Sequence, residues 1–309
     1  MSEIKYVHCF GTSHTEGGGF EFDSNSHLKS DLKHIYKYSG QELTRSNFSY
    51  PGQLSNILNE IGLDVTVINH GKSGFGNQKM YRDTFDFIYN NHGNLNEHLF
   101  IYEFSWIGRR EYYLKSLNDY VVLNYFLDEK NNLTYNEIGH TYWYDTDSKL
   151  DKLKDFEETL IPFFDATSNE REIIRETERN NSFFYSFLKT LNLNFLLLNP
   201  PEAAVYLPEK EREILYREYK NHTINLDMGD DLETSFNELI NYKKYSITKE
   251  TRGYIKDNHL GLTGNNLLAQ NIYNSMVKNE YIKSTEMEIK KLKFNINLDS
   301  STFDKKTIF

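Results

Sequence analysis

Short apolar runs alternate with longer amphipathic stretches along the N-terminal third of the chain. Residues 4–10 carry Ile4, Val7, Cys9 and Phe10 and read as a strand running into a glycine turn. Residues 51–62 read as a helix, opened by Pro51 and closed by Gly62, with Leu54, Ile57, Leu58 and Ile61 at helical spacing on one face. A second strand follows at 65–69, a glycine-bearing turn at 70–77, a helix over about 78–91 and a third strand at 99–105. Much later, residues 194–199 form a fourth apolar run before Pro200 and Pro201. The last clear element is a helix over about 263–278 whose buried stripe is Leu268, Ile272 and Met276. Strand, helix and strand in this order predict a central parallel sheet covered on both faces, a three-layer α/β/α fold.

Between these elements the pattern is weaker. Residues 107–190 are charged and aromatic, with helical spacing at 151–160 and 170–188, and read as a mostly helical insertion or cap over one end of the sheet. Residues 208–250 form a second polar, mostly helical excursion, and from 281 to 309 the chain is polar and lysine-rich, the composition of an arm or tail. The expected organisation is one α/β domain over 1–280 and a C-terminal arm over 281–309.

Composition narrows the function more than the fold. The net charge of −10 excludes a general nucleic-acid binder, which normally shows a basic face. Cys9 is the single cysteine, so no intrachain disulfide forms, and its apolar neighbours mark it as a small core residue. The 10 histidines include no His-Glu-x-x-His pair, and neither a metal nor a cofactor is expected. With 23 Tyr and 21 Phe, rings are expected to do much of the packing. No apolar run approaches the ~20 residues of a bilayer crossing. The N-terminus lacks a secretory pattern. The chain therefore reads as a soluble cytoplasmic product, although delivery inside a virus particle leaves no mark in a sequence.

In parallel α/β sheets, chemistry collects at the carboxyl ends of the strands. Three turns sit at such ends here: 11–17, 70–77 and 105–110. The segment 257–259 lies just before the final helix. Together these loops supply Ser13, His259 and Asp257, the parts of an activated hydroxyl nucleophile. Gly71-Lys72-Ser73 is not a phosphate loop, because that motif needs a glycine where Thr66 stands. Gly17-Gly18-Gly19 lacks both the lysine and the dinucleotide spacing, and reads as a turn.

On these residues the chain resembles the SGNH/GDSL hydrolase family, over about 1–106 and 194–278. Gly11-Thr12-Ser13 stands where the family carries Gly-Asp-Ser, with Thr12 in place of the aspartate. Asn69-His70-Gly71-Lys72-Ser73-Gly74 fits the second block, which supplies an oxyanion-hole glycine, here Gly74. The third block, Gly-x-Asn-Asp in the family, is replaced by Ser105-Trp106-Ile107-Gly108, leaving Ser105 or Asn77 to substitute for the missing asparagine. The last block usually has its aspartate three residues before the histidine; here Asp257 precedes His259 by two.

The resemblance implies a flavodoxin-like SGNH fold and a serine esterase. Ser13 attacks an ester carbonyl, His259 moves the proton, and Asp257 orients His259. The backbone N–H groups of Ser13 and Gly74, with one side chain, hold the oxyanion. The polar, aromatic insertion suggests an acetylated carbohydrate as substrate, with His14 and Arg109 as candidate contacts. Two alternatives share the framework: transfer of the acyl group to another hydroxyl, and a non-catalytic binding or structural protein. Each residue also has a plainer role. Ser13 can cap a turn, His259 can be structural, and Arg109 can be an ion-paired surface residue.

Overall fold

The computed structural model describes residues 3–17, 45–72, 74–91, 93–105, 109–115, 119–127, 133–138, 170–198, 223–224 and 262–283. Its centre is a five-stranded sheet built from β1 (Tyr6–Phe10), β2 (Thr66–Asn69), β3 (His98–Glu103), β7 (Asn194–Leu198) and β8 (Thr223–Ile224). The spatial order is β2-β1-β3-β7-β8, and every neighbouring pair is parallel. This is the 2-1-3-4-5 order of a doubly wound sheet, whose direction of winding reverses between β1 and β3.

Alternation along the strands divides the core in two. Val7 and Cys9 of β1, Leu99 and Ile101 of β3, and Leu196 and Leu198 of β7 face one side. There they meet Leu54, Ile57 and Leu58 of α3 (Tyr50–Glu60), which follows the single turn α2 (Arg45–Phe48), and Leu268, Ile272 and Met276 of α6 (Leu262–Lys278). Phe10, Phe100, Tyr102, Phe195 and Leu197 face the other side. They meet Met80 of α4 (Asn77–Asn90) and Phe184 and Leu188 of α5 (Glu170–Thr190). The protein is thus a three-layer α/β/α sandwich. Leu54, Leu58 and Ile272 are fully buried, each contributing roughly 1.5–3 kcal/mol of apolar burial. Cys9 is also fully buried, and burial pushes its thiol pKa up.

Apart from β8, a strand within the excursion expected to be mostly helical, the strands and helices of the sandwich fall within a few residues of the positions that hydrophobic spacing predicts. The insertion does not. Residues 109–138 contribute β4 (Arg109–Leu114), β5 (Asp119–Leu127) and β6 (Leu133–Ile138), an antiparallel sheet in sequence order. The helical expectation for 107–190 holds at α5 alone among the described residues. The reason is composition: β5 reads DYVVLNYFL, and aromatic and β-branched residues favour a pleated, half-buried surface. The expected helix at 151–160 and most of the excursion at 208–250 lie outside the described residues, apart from β8.

The first residues of the expected tail belong to the core. Ile282 is buried, and Tyr281 Oη donates to the carbonyl of Phe195 at 3.3 Å. Residues 284–309 lie outside the described set. Among the described residues, no helix is long and apolar enough to cross a membrane.

Candidate active site

The site starts where β1 ends. The chain leaves Phe10, passes Gly11 and enters α1 (Ser13–Glu16), a single helical turn with Thr12 at its N-cap and Gly17 closing it at φ 94°. Ser13 is therefore the first helical residue after β1, at the carboxyl edge of the sheet and beside the point where its winding reverses.

The loop after β2 lies directly against this turn. Lys72 N donates to the Gly11 carbonyl at 3.0 Å. Asn69 Nδ2 donates to the Thr15 carbonyl at 2.7 Å, while Asn69 Oδ1 accepts from Gly71 N at 2.8 Å. The approach is so close that a Cβ at Gly71 would stand 2.4 Å from Glu16 N, which explains glycine there. Gly74 follows at φ 81°, in the left-handed region that favours glycine.

The end of β3 forms the third wall. Ser105 is buried, and its backbone N–H donates to Asn77 Oδ1. Its hydroxyl donates to the Phe75 carbonyl at 3.3 Å. Asn77 Nδ2 points the other way, donating to Asn181 Oδ1 at 3.3 Å. Arg109, the first residue of β4, donates from Nη1 to the Phe75 carbonyl at 3.3 Å and to Ser105 Oγ at 3.4 Å. The antiparallel sheet thereby braces the loop that carries Gly74.

Beneath the Ser13 turn is a buried carboxyl, Glu103, the last residue of β3. Thr12 Oγ1 donates to its Oε1 at 2.8 Å, and the Thr15 hydroxyl donates to its Oε2. Burial raises the Glu103 pKa; the hydroxyls of Thr15 and Thr12 and the charge of Arg109 pull it back down.

Tyr50, the first residue of α3, ties this turn to the far end of the chain. Its hydroxyl lies 2.9 Å from Thr15 Oγ1, and its backbone N–H donates to Asn265 Oδ1 of α6 at 2.9 Å.

No protein-family model matches the chain, nor does any curated protein. The solved structures similar to it include the following three. LAE5, described as an alpha/beta hydrolase enzyme from the metagenome of Lake Arreo, Spain, shares 12% identity over 89% of this chain and 96% of its own, with a TM-score of 0.41. TesA shares 10% identity over 90% and 100% of the two chains, with a TM-score of 0.40. An acetyl xylan esterase, AlAXEase, shares 13% identity over 87% and 98%, with a TM-score of 0.33.

Ser13, Gly74, Asn77, Ser105 and Arg109 thus come from three strand ends that meet at one edge of the sheet. Asp257 and His259 lie outside the described residues, as does the side chain of His14. Of the expected oxyanion donors, the Asn77 carboxamide bonds to Ser105 and Asn181, and the Ser105 hydroxyl to Phe75. Motif reading did not single out Glu103, Thr15 or Tyr50. The one available signal was an acidic residue closing the apolar run Leu99-Phe100-Ile101-Tyr102. Among the described residues, no cluster of three or more His, Cys, Asp or Glu side chains is arranged to hold a metal ion.

Proposed function

We propose that the protein is a serine esterase of the SGNH type, with Ser13 as nucleophile, His259 as general base and Asp257 as its orienting acid. The observation that carries this reading is the position of Tyr50. It bonds through its hydroxyl to Thr15, two residues past Ser13, and through its backbone to Asn265, six residues past His259. One residue therefore joins the turn that carries Ser13 to α6, the helix that follows His259 in the sequence. In the sequence, α6 begins at Leu262, three residues after His259.

In this mechanism Ser13 Oγ attacks the ester carbonyl as its proton passes to His259, forming a tetrahedral oxyanion. Collapse expels the alcohol, which takes the proton from His259. Water then repeats the sequence on the acyl-enzyme and releases the acid. The oxyanion is assigned to the backbone N–H groups of Ser13 and Gly74. Losing one such donor typically costs about 10²–10³ in rate. An acetylated carbohydrate is the proposed substrate class, with Arg109 and His14 as candidate contacts.

A second reading has one observation in its favour. Because Asn77 and Ser105 are committed to the protein's own groups, a non-catalytic protein that keeps this fold fits the third wall equally well. Hydrolysis of a short p-nitrophenyl ester separates the two. Ser13→Ala is expected to abolish turnover while moving the melting temperature by no more than a few degrees. Turnover that survives this substitution removes Ser13 from the chemistry. A wild-type protein with no turnover on ester substrates favours the non-catalytic reading.

A further inference from the structure

Glu103 has no part in the mechanism just described, yet its surroundings are specific. A carboxyl removed from water needs hydrogen-bond donors, and here two converge on it. Thr12 and Thr15, which supply them, bracket Ser13 in the turn. The Thr15 hydroxyl has one proton. With that proton directed to Glu103, the Tyr50 hydroxyl donates to Thr15 rather than accepting from it. The chain of bonds thus runs in one direction, Tyr50 to Thr15 to Glu103, with Thr12 donating to the second carboxylate oxygen. Gly11 leaves room for the carboxyl: a Cβ there would stand 2.7 Å from both Cβ and Oε2 of Glu103.

We infer that Glu103 is the positioning residue of the Ser13 turn, fixing the direction of the Ser13 hydroxyl and backbone N–H by holding Thr12 and Thr15. The inference rests on the proposed role of Ser13. It also explains why a threonine occupies position 12. An aspartate there would put a second carboxylate at hydrogen-bond distance from Glu103, where the two repel or must share a single proton. The polarity can be exchanged. With aspartate at 12 and glutamine at 103, the amide Nε2 donates to position 12 while Oε1 still accepts from Thr15.

The test is a double-mutant cycle on ester hydrolysis, with kcat, KM and melting temperature measured for wild type, Ser13→Ala, Thr12→Asp, Glu103→Gln and the Thr12→Asp/Glu103→Gln double variant. A displacement of the nucleophile by about 1 Å is enough to cost on the order of 10² in rate. Thr12→Asp is accordingly expected to lower kcat about 10²-fold with little change in KM, and the double variant to regain at least about tenfold of that loss. A double variant no faster than Thr12→Asp, or a Thr12→Asp enzyme with wild-type kcat, overturns the inference. Should Thr12→Asp not fold, Thr12→Val keeps the side-chain shape and removes one donor. A roughly tenfold lower kcat at unchanged KM then supports the inference, and an unchanged kcat overturns it. The Ser13→Ala arm separates the two levels. If it keeps full activity, the Ser13 reading falls and takes the inference with it; if it is inactive and coupling is absent, the inference alone falls.

Discussion

His8 sits in the middle of β1 at 2% exposure, with both ring nitrogens used by other imidazoles. Nδ1 is 2.9 Å from His70 Nε2, and Nε2 is 2.9 Å from His98 Nδ1. Three neutral rings satisfy both bonds, because each offers one donor and one acceptor. A second excess proton on the trio would set two N–H groups against each other. Burial, then the neighbouring His70 and His98, lower the His8 pKa from 6.5 to about 3. His70 and His98 are lowered too, chiefly by burial, with Asp83 opposing at the first and Glu97 at the second.

Below pH 6.5 the unfolded chain binds a proton that folded His8 refuses, so stability falls as pH drops toward 3 and is unaffected by this group above 6.5. At pH 5 the loss from His8 is about 2 kcal/mol. Urea unfolding at pH 7 and pH 5 should therefore show the wild type losing about 2 kcal/mol more than His8→Phe. Equal losses would show that His8 is not the source. Spacing identifies position 8 as strand, but neither the pairing of its ring nor the Glu103 hydroxyl cage is local in sequence. His70 and His98 are 62 and 90 residues away, and Thr12 is 91 residues from Glu103. That is why these residues were not legible.

Among the elements, α4 depends on a residue from another sheet. The Glu111 side chain of β4 is fully buried. Its Oε1 accepts from the backbone N–H groups of Gly76 and Lys79, at 2.9 and 3.0 Å, capping the helix. Its Oε2 pairs with Arg82 Nη1 at 2.6 Å, and the Arg82 guanidinium lies 3.5 Å from the centre of the Tyr120 ring in β5. Glu111→Ala removes the cap and strands the Arg82 charge. Because Arg82 is partly exposed, the expected cost is about 2–3 kcal/mol, below that of breaking a fully buried pair. Chemical denaturation measures it directly, and a loss under about 1 kcal/mol would mean that the insertion sheet does not hold α4.

The helices and strands of the sandwich, apart from the two-residue β8, were legible because each carries its own period of buried positions. The antiparallel sheet was not, because its charged residues look solvent-facing until Glu111 and Arg109 find partners 29 to 35 residues away in the loop before α4 and in α4 itself.

At the scale of the molecule, the proposed function requires the two ends of the chain to meet at one edge of the sheet. Strand order places the Ser13 turn, the Gly74 loop and the end of β3 together, and Tyr50 joins that turn to α6. The order of the motifs anticipated the first three. The Tyr50 link was invisible, because a helix's first residue shows its amphipathic face in sequence but not what its hydroxyl and its free N–H will meet. The central claim is that Ser13 is a nucleophile activated by His259, and covalent labelling tests it most directly. A fluorophosphonate is expected to modify the native protein at Ser13 alone, with peptide mapping locating the adduct, and His259→Ala is expected to slow labelling by at least about 10²-fold. No adduct at Ser13, or labelling of Ser13 at the same rate without His259, would contradict the account.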